Sequence, residues 1–189
     1  MKSLALLALL SAVGAPAAQI IYTANLDGPS ESPANASPGT GFVTVTVDTA
    51  VHTMRIEASF SDLLGTTTGA HIHCCTALPN TSTAGVANEA PSLSFFPLGV
   101  TSGTFDNTLD TSLASSYNPA FITANGGTAV NAEAALFAGL DSQRAYFDIH
   151  SSVFPGGEIR GFLVAESVPE PGTWFLAGAG LLALWKRRR

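Results

Sequence analysis

The feature that most constrains this chain is a strict alternation. From Gly41 to Asp48 it reads GFVTVTVD, and from Met54 to Phe60 it reads MRIEASF. Successive side chains of an extended strand point to opposite faces. One face therefore receives Val43, Val45 and Val47, joined by Met54, Ile56, Ala58 and Phe60 from the return run. Thr44, Thr46, Arg55, Glu57 and Ser59 fall on the other. A period of two does not suit a helix, so the two runs and their short connection predict a hairpin with one buried face. Composition agrees. The chain is 46% hydrophobic but only 12% charged, about half the usual charged share of ~25%. Gly, Thr, Ser, Ala and Asn fill the polar fraction, which suits strands and turns better than exposed helices.

The rest of the chain is read against that hairpin. Residues 19–26 (QIIYTANL) form a first strand, followed by a proline-rich loop over 27–39. Residues 61–68 are a loop leading into a strand over Gly69–Cys75. Further strands are expected at 100–109, 144–150 and 158–164. Asn118 before Pro119 marks a helix start, and Thr128 caps a second helix over 129–140. Within the last strand pair, aligning the apolar sets (Ala145, Phe147, Ile149 with Ile159, Gly161, Leu163) places Asp148 opposite Arg160 and His150 opposite Glu158. The chain reads as one all-β, antiparallel domain with a small helical insertion.

The chemistry-bearing stretch is Gly69-Ala70-His71-Ile72-His73-Cys74-Cys75. Alternation puts His71, His73 and Cys75 on one face. Imidazole and thiolate are common ligands of zinc and copper. The candidate metal ligands are His71, His73 and His150, with Cys75 or Glu158 as a fourth; no cofactor is fixed, copper and zinc being the ions that suit the set. The competing reading is a hydrogen-bonded network of His71, His73, Glu158 and Arg160 on a sheet face, and the sequence alone slightly favours that network. Adjacent cysteines are not expected to form an ordinary disulfide, since their Cα atoms lie ~3.8 Å apart across a trans peptide. A strained vicinal bridge, an intermolecular bridge and a metal-held thiolate remain open. No G-x-S-x-G, P-loop or H-E-x-x-H motif occurs, so no catalytic residue is assigned and the chain is read as a non-enzyme.

The two ends read as addresses. Residues 1–18 have a lysine, an apolar run and Ala15-Pro16-Ala17, the pattern of a signal peptide with its A-x-A cleavage site. Residues 167–189 hold Pro169-Glu170-Pro171, then an apolar run between Trp174 and Trp185, then Lys186-Arg187-Arg188-Arg189. That order predicts a transmembrane helix with a cytoplasmic basic end. Only Arg55, Arg144 and Arg160 are basic between the two ends, so the residues between are acidic. Nucleic acid, held mainly by Lys and Arg contacts to phosphate, is excluded as a partner.

The tail resembles the PEP-CTERM sorting signal of Gram-negative bacteria. The resemblance implies an exported protein, anchored transiently in the inner membrane, cut near the motif by an exosortase and delivered to the surface or matrix. Extracellular polysaccharide or matrix components are the partners such a protein would meet. Residues 19–166 resemble the CHRD (chordin-type) domain. The matching residues are Ala70-His71-Ile72-His73, Tyr146 to Ser151, and Phe154-Pro155-Gly156-Gly157-Glu158-Ile159-Arg160-Gly161, with Ala24 to Gly28 and Glu31 fitting its opening. That resemblance implies an antiparallel Greek-key β-sandwich similar in architecture to Cu/Zn superoxide dismutase. It implies a binding or structural module as the function, with metal binding as the alternative.

Overall fold

The structure, a computed structural model, describes residues 19–166. The expected signal peptide with Ala15 and Ala17, the Pro169-Glu170-Pro171 motif and the expected transmembrane helix lie outside the described residues. Among those described, no helix is long and apolar enough to cross a membrane.

Eight strands run in chain order: β1 (Ile20–Asp27), β2 (Thr40–Asp48), β3 (Thr53–Ser61), β4 (Thr67–Cys74), β5 (Gly103–Asp110), β6 (Ala145–Ser151), β7 (Ile159–Phe162) and β8 (Val164–Ala165). Between β5 and β6 lie a 3-10 turn (Ala114–Ser116) and two helices, α1 (Pro119–Ala124) and α2 (Ala129–Asp141). All pairings are antiparallel, and the strands make one hydrogen-bonded path in the order β4-β6-β7-β1-β2-β3-β5, with β8 beside β1. The sheet curls. Its two ends approach where the Thr67 N–H donates to Val100 O and the Gly99 N–H to Thr67 O, just before β5. The expected antiparallel β architecture with a small helical insertion is what the chain forms.

The β2–β3 hairpin pairs Val45 with Ile56 and Val47 with Met54. Those four side chains are fully buried, so the period-two pattern sets the inner face directly. Ala70, Ile72, Phe147, Ile149 and Ile159 continue that face, and Leu136 and Leu140 of α2 close one end of the core. Both helices start where their caps stand: the Asn118 side chain accepts from the Ala120 N–H, and the Thr128 side chain from the Asn131 N–H.

β4 is an edge strand, yet its outer face is buried too. The irregular segment 84–93 lies along its free edge. The Cys74 N–H donates to Gly85 O, the Ala87 N–H to Ile72 O, the Leu93 N–H to Ala70 O, and the Ile72 N–H to the Asn88 side chain. An uncovered edge would offer unpaired backbone groups to other chains; here the loop satisfies them. The result is a second buried layer, polar in composition, outside the apolar core.

Candidate metal centre

Parity builds this layer. Along β4, Ala70 and Ile72 enter the core while His71 and His73 point outward. Along β6, Phe147 and Ile149 enter the core while Tyr146, Asp148 and His150 point outward. The β4–β6 register sets His71 beside Asp148 and His73 beside Tyr146. The three imidazoles of His71, His73 and His150 thereby converge, each offering a nitrogen within 4.8 Å of the others.

Each ring is fixed by one carbonyl. His71 Nε2–H donates to Pro91 O (2.7 Å), His73 Nδ1–H to Ala84 O (2.9 Å), and His150 Nδ1–H to Pro155 O (3.0 Å). A carbonyl only accepts, so the bonded nitrogen carries the hydrogen and the other nitrogen of a neutral ring is a bare acceptor. Those other nitrogens are His71 Nδ1, His73 Nε2 and His150 Nε2. All three are buried and none has a hydrogen-bond partner.

Burial favours the neutral form of the rings. It is the largest influence on all three and lowers each pKa, opposed by the carbonyl contacts. His73 falls to about 4, helped by the neighbouring His71, His150 and Arg160. Neutral imidazole is the form that binds a metal.

The surroundings are carboxylates and one guanidinium. Asp148 is 2% exposed and Glu31 8%, and burial pushes both carboxyls up. Arg160 lies opposite Asp148 in the β6–β7 ladder. Its guanidinium turns elsewhere: Nε donates to Ser30 O, a second nitrogen donates to Ser82 O (3.2 Å), and Glu31 Oε2 is 3.8 Å away. It also covers the Tyr146 ring at 4.8 Å, and Tyr146 in turn stacks on His73 with centroids 4.8 Å apart. Five of the six buried side-chain polar atoms without a hydrogen-bond partner among the described residues belong to this one cluster: the three imidazole nitrogens, Asp148 Oδ1 and Glu31 Oε1.

A family model for the CHRD domain matches residues 22–163, most of the chain. The chain belongs to the CHRD domain family. A model for the PEP-CTERM protein-sorting motif matches residues 167–189. Neither a curated protein nor a solved structure matches the chain. The sorting motif marks a CHRD protein that is exported, anchored transiently in the membrane and displayed at the surface, with processing by an exosortase.

Of the ligands expected from sequence, the CHRD domain brings His71, His73 and His150 together and places the other two elsewhere. Cys75 lies beyond the end of β4, where strand alternation no longer directs it. Its sulfur is bonded to that of Cys74, and the pair packs against Gly139 of α2; of the outcomes open for the two cysteines, the vicinal bridge is the one seen. Glu158 lies one residue outside the β6–β7 ladder, which ends at the Ile149–Ile159 pair. Its carboxylate turns away and accepts from Ser37 Oγ (2.6 Å), the Leu64 N–H (2.5 Å) and the Gly65 N–H (3.2 Å), tying the β3–β4 loop to the last turn. The fourth chain histidine, His52, contacts Glu133 of α2 at 3.0 Å and is not part of the cluster. Asp148 and Glu31 stand beside the three rings without having been expected at the site. For Asp148 the signal was present, since it shares a face with His150 at a spacing of two. For Glu31, on a loop, alternation says nothing.

Proposed function

We propose that this surface-displayed CHRD domain is a binding module that holds one metal ion, zinc or copper, on His71, His73 and His150. The observation that carries the reading is the set of three buried imidazole nitrogens that face one another without a hydrogen. A buried acceptor left unpaired costs about 1–3 kcal/mol. Three such groups in one place would be a heavy cost unless something electron-poor sits among them. The carbonyl bonds at the far nitrogens are the arrangement that orients a metal-binding histidine and raises its basicity. The alternative of a closed hydrogen-bonded network is less well supported, because these nitrogens find no donor.

The role proposed is binding or structural rather than catalytic, exercised among extracellular polysaccharide or other matrix components. The strands form one curled antiparallel sheet; the expected Greek-key sandwich similar to Cu/Zn superoxide dismutase stays an analogy of fold, and fold does not fix function. Metal binding here is inferred from the ring nitrogens alone.

Calorimetric titration of the untagged, chelator-treated protein with Zn²⁺ and with Cu²⁺ tests the reading. One ion per chain is expected, with affinity reduced at least about 100-fold in His73→Ala. No binding of either ion by the wild type at micromolar concentration would refute it.

A further inference from the structure

We propose that Asp148 is the fourth ligand of this site, closing it into a set of three histidines and one carboxylate that takes a four-coordinate divalent ion of the zinc class. This rests on the reading that the three imidazoles bind a metal, and adds to it the completing ligand and the preferred ion.

Asp148 Oδ2 lies 3.9 Å from His73 Nε2 and 3.9 Å from His150 Nε2. Both nitrogens are the bare ones of their rings, because the hydrogen of each sits on Nδ1 toward a carbonyl. Both nitrogens are thus acceptors, and so is the oxygen once the carboxyl is ionised; acceptors held face to face repel. A cation among them turns that repulsion into attraction. Tetrahedral bonds of ~2.0–2.2 Å to nitrogen and oxygen place ligand atoms ~3.4 Å apart. The two 3.9 Å separations need to close by about half an ångström; Asp148 is not among the residues whose ligand atoms all lie within 4.8 Å of one another, so the His71 side must close further.

Asp148 faces Arg160 across the ladder, and the sequence leads one to expect an ion pair there. The guanidinium instead serves Ser30, Ser82 and Glu31. Among the described residues no lysine or arginine nitrogen lies within 4 Å of the Asp148 carboxylate; its neighbour is the Glu31 carboxyl, with which it can share a proton. A buried carboxyl without a cation gives up its charge by holding a proton; a divalent ion on the three imidazoles would replace that proton and pair with the carboxylate.

Gly157 presses on the back of the carboxylate: a Cβ there would lie 2.7 and 2.8 Å from the two Asp148 oxygens and 2.8 Å from Glu31 Oε1. Glu31 stands between Asp148 and Arg160 and acts as a positioning residue, not a ligand. Three nitrogens and one carboxylate oxygen, all from the protein, make a closed zinc-type site; Cu⁺ favours sulfur donors, which are absent from the cluster.

The test uses the untagged exported protein, stripped with a chelator and titrated with Zn²⁺ and with Co²⁺. The wild type should bind one ion per chain and give the intense visible bands of tetrahedral Co²⁺. Asp148→Asn should lower Zn²⁺ affinity at least about 100-fold and replace those bands with the weak ones of higher coordination. Glu31→Gln should cost about 10–100-fold, as outer-shell partners do, and keep the tetrahedral bands. An Asp148→Asn protein with a wild-type circular dichroism spectrum, affinity and cobalt spectrum would overturn the proposal and leave the three-histidine reading standing. A wild type that binds neither ion would remove both. If Asp148→Asn does not fold, a crystal structure of the Zn²⁺-loaded wild type decides: an Asp148 oxygen ~2.0–2.2 Å from the ion supports the assignment, and one outside bonding distance overturns it.

Discussion

Gly157→Ala is expected to destabilise the domain by roughly 2–4 kcal/mol, the sum of two costs of about 1–3 kcal/mol each that need not add in full. The first is conformational: Gly157 has φ 129°, a region where a side chain is strained. The second is steric, because the new methyl would lie within 2.8 Å of three carboxylate oxygens. Those oxygens belong to side chains that are themselves buried, so they cannot simply swing aside. For a domain of about 150 residues, each kcal/mol moves Tm by roughly 2–4 °C, so a fall of about 4–16 °C is expected. Gly156→Ala is the control. A Cβ at Gly156 meets nothing within 4 Å, and that residue is not among those of positive φ; its melting curve should stay within about 2 °C of wild type, the shift expected of a surface change of up to ~0.5 kcal/mol. Differential scanning calorimetry of the three proteins, stripped of metal, reads the difference. Coincident melts for Gly157→Ala and Gly156→Ala would refute the argument from backbone and contact.

Three further outcomes follow from other parts of the molecule. Burial pushes the Glu158 carboxyl up, but hydrogen bonds from Ser151, Ser37 and the Leu64 and Gly65 backbone outweigh it and hold its pKa below the ordinary value. A depressed folded pKa gives stability that is complete above the unfolded value, about pH 4.3, and is lost as pH falls through the folded one. Tm should therefore drop below about pH 4, and Glu158→Gln should melt lower at pH 7 with a shallower acid dependence; parallel Tm–pH profiles would contradict this. Gly139→Ala places a methyl inside contact distance of both sulfurs of the Cys74–Cys75 bridge, so it should cost about 1–3 kcal/mol by overpacking, read as a lower denaturant midpoint; an unchanged midpoint would mean that α2 is not seated as described. Intact-mass measurement of protein released by its host should show a chain that begins near Ala18 or Gln19 and ends near Pro169, and detection of Arg189 in that form would contradict processing at the sorting motif.

The inner face was legible because period-two alternation and burial are the same fact seen twice. Val43, Val45, Val47, Met54 and Ile56 could be sorted before any strand was placed, and the Asp148–Arg160 register followed from matching apolar sets. Asn118 and Thr128 announced both helices through the caps they form. The outer layer was harder. The sequence places His71 and His73 on one sheet face but not under cover, because nothing local in it says that segment 84–93 folds over β4 and supplies the Pro91 and Ala84 carbonyls. Cys75 and Glu158 were read by alternation one residue past the ends of their ladders, where the rule no longer applies. The unformed Asp148–Arg160 ion pair was invisible for a similar reason: the competing partners of Arg160, at Ser30, Glu31 and Ser82, lie on loops distant in sequence.

A metal can enter only if the bare nitrogen of each histidine is the one that faces the other two rings. Long-range ¹H–¹⁵N correlation spectra of the imidazoles, recorded near neutral pH before and after one equivalent of Zn²⁺, read this directly. The prediction is a neutral Nε2–H tautomer for His71 and neutral Nδ1–H tautomers for His73 and His150 in the metal-free protein. On adding zinc, His71 Nδ1, His73 Nε2 and His150 Nε2 should shift together while the carbonyl-bonded nitrogens keep their hydrogens. Opposite tautomers, or ring nitrogens that do not respond to zinc, would contradict the metal centre.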